Sequence, residues 1–579
     1  MITRFLIPSL LLGFASVASA AVQEMVFATK LLAEEEVVPA EVQSIRTLGY
    51  YEAGKGAGLY IYAGLAVPRY NPRGQSNVER PSAHYIKTKA DGSGQPRYYV
   101  LAEETPHVLQ FGAIANGRSD GQNAHDNTDA FNAALSYGRG VFVPRGRYWI
   151  AGTLTILEDG TTLTGAGPGG ADLGGSELYF GPGAADCIQA GDGVNLLRWA
   201  KISRLWIDAR NRTGGNAIFA WFNHNLVLEE LKIPTPYNGI SLFRGMLFTI
   251  RDVIISGIRA GNGTVNGPTE IGYGIKFWGA PELYDQNTGQ RVKRDTHVLY
   301  LENISFGGAK LETDPSNWTV GLWCAENAAS VNGGTLKNQN VRYGVYLTRA
   351  AAVDPANRLT VPEGYALVPA TRTEGGKTYA YGSSQYPSQP GTVVDENGRF
   401  QDLTLFYLGG DFLGGEYVYN EESSGVRIYN PHFWRSYQGN CVYMGPNAKN
   451  MNVLGGQVTG AFKHGFDMNG QLWHISGVQI FRHSLDASDR EAQKNIYSAV
   501  NVGPTSVGGD IVNCKIGNEP PGTTGRAGST VKYGLNIAAG AKGTWYDGNR
   551  FDGCLEANVN NQAGQETQAG SNYLGPVGR

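Results

Sequence analysis

Charge is scarce in this sequence. Asp, Glu, Lys and Arg make up 17% of 579 residues, and 48 basic side chains nearly balance 51 acidic ones. No Lys/Arg-rich tract occurs, which excludes the electrostatic footprint of a nucleic-acid binder or of docking on an anionic membrane. Cysteine is scarcer still: five residues, odd in number, far apart and without a CxxC. A structural zinc site and a disulfide framework are both excluded on that count. Long apolar runs are absent after the first twenty residues, so no later segment has the length to span a bilayer. Those first twenty, MITRFLIPSLLLGFASVASA, carry one charge at Arg4, an apolar run from Phe5 and the small residues Ala18-Ser19-Ala20. They read as a secretory signal with cleavage after Ala20, which predicts a secreted protein, periplasmic or extracellular. What the chain has in abundance is glycine, 80 residues, and aromatic rings, including 31 Tyr and 10 Trp. Many short strands joined by tight turns account for that balance.

The stretch from Val108 to Gly167 organises the rest. A strand ends at Phe111-Gly112-Ala113 and a Gly/Asn/Ser/Asp loop follows. Asn127 or Asp126 is placed to cap a short helix, with Asp129 in its first turn at the positive end of the helix dipole. Ala130, Phe131, Ala134 and Leu135 give that helix one small apolar stripe, enough to cover an open end of a core. Gly138 and Gly140 end it, and alternating strands follow at Val141–Val143, Tyr148–Ile150 and Leu154–Ile156.

From Lys201 onward a degenerate repeat runs along the chain: apolar, skip one, polar or Gly, skip two, apolar. It occurs at Ile202/Arg204/Ile207, Leu228/Glu230/Ile233, Ile250/Asp252/Ile255, Leu301/Asn303/Phe306 and Leu336/Asn338/Val341. It continues at Phe400/Asp402/Leu405, Ile428/Asn430/Phe433, Val453/Gly455/Val458, Ile475/Gly477/Ile480, Ile511/Asn513/Ile516 and Tyr546/Gly548/Phe551. The shortest spacings, about 22 to 25 residues, are a solenoid period. A strand, a left-handed turn residue at the polar or Gly position and a second strand explain the pattern.

The motifs FGA (Phe111–Ala113), Asp120 with Asp126-Asn127-Thr128-Asp129-Ala130, VFVPRGRY (Val141–Tyr148) and LTGAG (Leu163–Gly167) together resemble the opening segment of the right-handed parallel β-helix superfamily. That superfamily includes pectate-lyase-like and rhamnogalacturonase/epimerase-like proteins and phage tailspikes. The resemblance implies an all-β, single-stranded right-handed parallel β-helix with a capping helix and a small N-terminal lead-in domain. The expected organisation is signal 1–20, lead-in 21–106, β-helix 107–556 and tail 557–579. The lead-in carries Gly49-Tyr50-Tyr51 and three spaced glycines before Tyr60, similar to the lead-in of tailspike-type β-helices. A monomer or a homotrimer is implied, with a polysaccharide as partner.

A second strand signature, Gly-apolar-any-apolar, recurs once per repeat, and its skipped residues should point outward in one ladder. Those residues are Ser241, Lys276, Trp323, Tyr346, Tyr417, Tyr443, Asp467, Asn501 and Asn536. Lys276, Trp323, Tyr346, Tyr417 and Tyr443 are the expected substrate-binding residues, with rings stacking on pyranose faces. Glycosidic hydrolysis needs two carboxyl groups, one protonated and one ionised. Asp411 and Glu416 flank a Gly-rich turn near the aromatic rungs, Asp467 lies on the ladder, and Glu302 stands between Arg251 and Lys337 of neighbouring coils. These four are the catalytic candidates. Elimination would instead need a base such as Lys276, Arg427, His432, Arg435, His474 or His483, with Ca2+ a cofactor in that case only. The NTD, paired-Asp, GHG and RIK pattern of polygalacturonases is absent. The DPH of alginate epimerases is represented only by Asn430-Pro431-His432. The expected function is therefore a secreted endo-acting glycoside hydrolase without metal or cofactor. The alternatives are a lyase on a uronate-containing glycan and a non-catalytic glycan-binding or tailspike-like adhesin.

Overall fold

The computed structural model describes residues 23–72, 76–138, 140–264, 267–279, 283–285, 287–288, 291–292, 295–309, 314, 316–325, 328–348, 365–367, 371–374, 377–380, 401–413, 415–484, 495–517, 530–575 and 577. Two compact units divide the chain. One comprises the chain to Gly181 with Trp199–Leu205, the other Pro182–Arg198 with Trp206–Arg579.

In the first unit, Gln23–Phe27, Val42–Thr47, Gly58–Gly64, Tyr98–Leu101 and Tyr85–Lys87 form one five-stranded sheet in that spatial order. The helix Thr128–Ser136 buries Ala130, Phe131, Ala134 and Leu135, the stripe expected from its spacing. Asp126 caps it, its Oδ1 accepting from the N–H of Thr128 at 3.0 Å. Asn127 makes no cap hydrogen bond; it is buried and crosslinks the loop, accepting from the N–H of Ile114 at 2.6 Å and donating to the Trp149 carbonyl at 3.1 Å. Parallel strands follow, with Gly140–Val143 beside Thr162–Gly165 and Gly146–Ile150 beside Ser176–Phe180.

The second unit is a parallel β-helix. Each complete coil supplies a strand to three parallel sheets. Val442–Met444, Lys449–Leu454 and Gln457–Ala461 form one coil, and each pairs with its counterpart in the next, Phe466–Met468, Gln471–Ser476 and Gln479–Phe481. Inward residues such as Val442, Met444, Val453, Val458, Phe466 and Ile480 are fully buried, so each coil covers its neighbour's core.

The corners explain the repeat. Arg204, Glu230, Asp252, Asn303, Asn430 and Asn513 have φ between 48° and 58°, and Gly455, Gly477 and Gly548 between 63° and 70°. These are left-handed residues, where Asn, Asp and Gly bear the least strain. Asp402 is also left-handed at 62°, but at the corner before, aligned with Ser330 and Gly425. Asn338 departs from expectation. The strand Ala328–Gln339 continues past that corner and turns at Asn340, φ 53°, leaving Asn338 buried.

Candidate functional site

The outward ladder exists, with one rung changed. Cα partners run Ser241–Lys276–Trp323–Tyr346, then Tyr419, Tyr443, Asp467, Asn501, Asn536 and Asn560. Tyr417 is not on it. Val418, not Glu416, pairs with Val345, so the strand begins two residues later than the Gly415 signature implies. Tyr417 instead fills the place that Gly344 and Gly465 hold in other coils. Its ring turns inward, stacks on Phe433 at 4.4 Å and is fully buried. Its hydroxyl lies 2.7 and 2.6 Å from the carbonyls of Gly410 and Trp434 and accepts from the N–H of Trp434 at 2.9 Å.

Lys276 and Trp323 occupy their expected rungs but are only 4% and 2% exposed. The Lys276 ammonium lies 4.2 Å from the Trp278 ring and 4.3 Å from the Trp323 ring, a cation–π sandwich that uses the charge internally. Tyr346, Tyr419 and Tyr443 are half-buried. Tyr419 and Tyr443 stack on each other at 4.7 Å and 23°, so these rings meet face to face along the ladder rather than lying flat for a sugar. The Tyr346 and Tyr419 hydroxyls are pushed well up by burial, and that of Tyr443 is raised for the same reason first. They remain neutral and can both donate and accept.

Glu416 sits in a second column, three residues before the ladder. Asn440 and His464 succeed it in the following coils. A side-chain acceptor here meets the backbone of the next coil. Glu416 Oε1 accepts from the N–H of Asn440 at 3.3 Å, and Asn440 Oδ1 accepts from the N–H of His464 at 3.1 Å. Gly439 makes room for this, because a Cβ there would lie 2.3 Å from Glu416 Oε1. Glu416 is 9% exposed, and burial pushes its carboxyl up to about 7. The Asp467 charge adds to that rise, while Arg342, the Asn440 N–H and Lys463 oppose it. Arg342 is positioned by donating to Gln438 Oε1 at 2.7 Å and by lying 4.4 Å over the Trp318 ring.

Asp467, half-exposed, accepts at Oδ1 from Asn501 at 2.9 Å and Asn469 at 3.1 Å. Beyond it, Asn536 donates to Asn501 at 2.7 Å and Asn560 to Asn536 at 2.8 Å. Burial lowers the His464 imidazole, and Asp467 pulls it the other way. The Glu416 carboxyl reaches onto the coil of Asn440, one strand spacing, about 4.8 Å, from the coil of Asp467. The two carboxyls stand in adjacent columns, offset by three residues along the coil, and the charge of Asp467 acts on Glu416.

The remaining candidates disperse. Glu302 is exposed on another sheet; Arg251 is its neighbour, but Lys337 pairs with Ser305 and Gly334 stands beside Glu302 instead. The Asp411 backbone pairs with Trp434, and its side chain lies outside the described residues. Arg427 donates to Asp402 at 2.8 Å, and His474 lies 3.6 Å from Asp510. His483 is buried, which pushes its imidazole down to about 3. His432 and Arg435 sit on a third sheet, so the six basic candidates form no cluster. Among the described residues no group of three or more His, Cys, Asp or Glu gathers as a metal site. Arg342, Lys463 and His464 were missed by the ladder reading. Counting three residues back from Tyr443 and Asp467 finds Asn440 and His464 as one column, and Glu416 joins it only with Tyr419 in place of Tyr417 as the rung.

No protein-family profile matches the chain, and no curated protein does. Solved structures are similar to it at low identity. The A-module of mannuronan C-5 epimerase AlgE4 from Azotobacter vinelandii is 13% identical, with a TM-score of 0.41 over 81% of this chain and 96% of that one. Tailspike protein 3 of bacteriophage CBA120 is 13% identical, with a TM-score of 0.42 over 88% and 74%. The tailspike gp49 of Acinetobacter baumannii bacteriophage Fri1, a capsular polysaccharide depolymerase, is 11% identical, with a TM-score of 0.39 over 96% and 76%.

Proposed function

We propose that the chain is a glycoside hydrolase acting on a polysaccharide outside the cell, with Glu416 as general acid and Asp467 as base or nucleophile. The observation that supports it is the pair itself: one carboxyl buried and raised to about 7, beside a second that is half-exposed and held by two amide donors. A carboxyl that holds its proton, with a second carboxyl group beside it, is what acid–base cleavage of a glycoside requires. Glu416 Oε1 accepts from a backbone N–H, so the proton of the neutral acid resides on Oε2. In the reaction that proton passes to the leaving glycosidic oxygen as the C–O bond breaks. Water supplies hydroxide to the anomeric carbon and its remaining proton to the waiting carboxylate. The neutral Tyr346, Tyr419 and Tyr443 hydroxyls would bind sugar hydroxyls along the ladder.

The test incubates the chain from Ala21 with capsular, plant and algal polysaccharides, following new reducing ends and the ultraviolet absorbance of an unsaturated uronate. Reducing ends alone, abolished in Glu416→Gln and Asp467→Asn, are expected. Both signals rising together would mean elimination and overturn the assignment. Binding without either would make the protein a glycan-binding module.

A further inference from the structure

The ladder is not equally open along its length. From Tyr346 through Tyr419, Tyr443 and Asp467 to Asn536 its rungs are half-buried, reachable from solvent. At Trp323 and Lys276 they are sealed, 2% and 4% exposed. The seal is built. Trp278 stacks on Phe243 at 4.3 Å and donates its indole N–H to Ser241 at 2.9 Å, which fixes one side of the Lys276 sandwich. Trp323 forms the other, and its ring lies 5.8 Å from that of Tyr346, the first open rung. Open ladder surface therefore ends at Tyr346, and the rungs before it offer a sugar chain no contact.

The distance from this wall to the carboxyls is fixed by the coil spacing. Trp323 is two coils before Tyr419, the coil that carries Glu416, and four before Asp467. At about 4.8 Å per coil along the ladder, the wall stands roughly 14 Å before the coil that the Glu416 carboxyl reaches and roughly 19 Å before that of Asp467. Among the described residues, the Asn501 and Asn536 rungs on the other side stay accessible.

We infer that the Trp323–Lys276 wall is a length gauge: a polysaccharide end abuts it, and hydrolysis between Glu416 and Asp467 releases short oligosaccharides of one fixed length. This rests on the hydrolase reading and replaces the internal cleavage expected from the sequence. Trp323 and Lys276 become specificity-determining residues rather than stacking platforms.

The experiment takes each polysaccharide of the panel and measures fragment length by mass spectrometry and solution viscosity at less than about a tenth of full conversion. The expected result is one short product size, with viscosity almost unchanged while reducing ends accumulate. Fluorescent labelling of the reducing terminus adds a direction: the label should be found either in all the first-released fragments or in none. A broad range of sizes with rapidly falling viscosity would overturn the gauge and leave the hydrolase reading intact. One product size bearing an unsaturated uronate would uphold the gauge and overturn hydrolysis. No new ends from any polysaccharide would overturn both. Trp323→Ala, checked for folding by circular dichroism, should broaden the product range, and Lys276→Met gives the same test with less loss of packed volume.

Discussion

Replacing Glu416 by glutamine should change how the stability of the protein responds to pH. Glutamine has the shape of the protonated acid, and its amide oxygen can keep the hydrogen bond from the Asn440 N–H. In the unfolded chain Glu416 titrates near 4.5, and in the folded chain near 7. Below pH 4.5 both states hold the proton, and the folded state has its full advantage. Between 4.5 and 7 the unfolded chain has released the proton and the folded chain has not, so stability falls as pH rises. Above about 7 both are ionised and the loss is complete. At about 1.36 kcal/mol for each pH unit, the difference from 4.5 to about 7 amounts to roughly 3 kcal/mol. Glu416→Gln should therefore match the native protein at pH 4.5 and exceed it by up to about 3 kcal/mol at pH 8. Urea unfolding of both proteins at both pH values tests this. The double difference cancels every group that the substitution leaves alone. A double difference within about 0.5 kcal/mol of zero would show an ordinary carboxyl at this position and remove the basis for its role as acid. The same proton predicts the activity profile: hydrolysis should fail on the alkaline side as pH passes about 7.

Gly439→Ala places a methyl against the movable end of Glu416, so catalytic rate should fall with less than about 1 kcal/mol lost on urea unfolding. Tyr417→Phe leaves a buried N–H and two carbonyls without their hydroxyl and should destabilise by about 1–3 kcal/mol, with KM unchanged in glycan assays. Asn513→Ala at a left-handed corner should cost about 1–2 kcal/mol by thermal unfolding, and Asn513→Gly should be tolerated. All five cysteines are free and buried, so a thiol reductant should leave the melting temperature unmoved.

The fold was legible because each coil must repeat two local demands, an inward apolar pair and a left-handed corner. Both leave marks on single residues, and Asn303, Asn430 and Gly455 carry them plainly. The ladder followed wherever the small residue before the strand sat one place from the first inward side chain, as at Gly344-Val345. It failed at Gly415, because two further residues precede Val418 and nothing in the spacing marks them as extra. Lys337 was misplaced beside Glu302 for a similar reason: the long strand Ala328–Gln339 carries its register through Gly333 and Gly334. Exposure was the least legible property. The alternation shows that Trp323 points away from the core, but not that Trp278 and Lys276 enclose it. Glu416 was found as part of a Gly-rich turn, whereas its setting depends on Gly439, one coil on, and on Arg342, one coil back.

The amide series Asn560, Asn536, Asn501 has one further consequence. An ionised carboxylate accepts and never donates, so Asp467 obliges Asn501 to turn its NH2 toward it. That leaves the Asn501 oxygen for Asn536, and the Asn536 oxygen for Asn560. A single negative charge thus sets the polarity of three amides across three coils, about 14 Å of side-chain dipoles aligned head to tail. They form a macrodipole outside the backbone, with its positive end on Asp467. In Asp467→Asn the two senses of the series would become nearly equal in energy, and the row would lose its direction along with the charge.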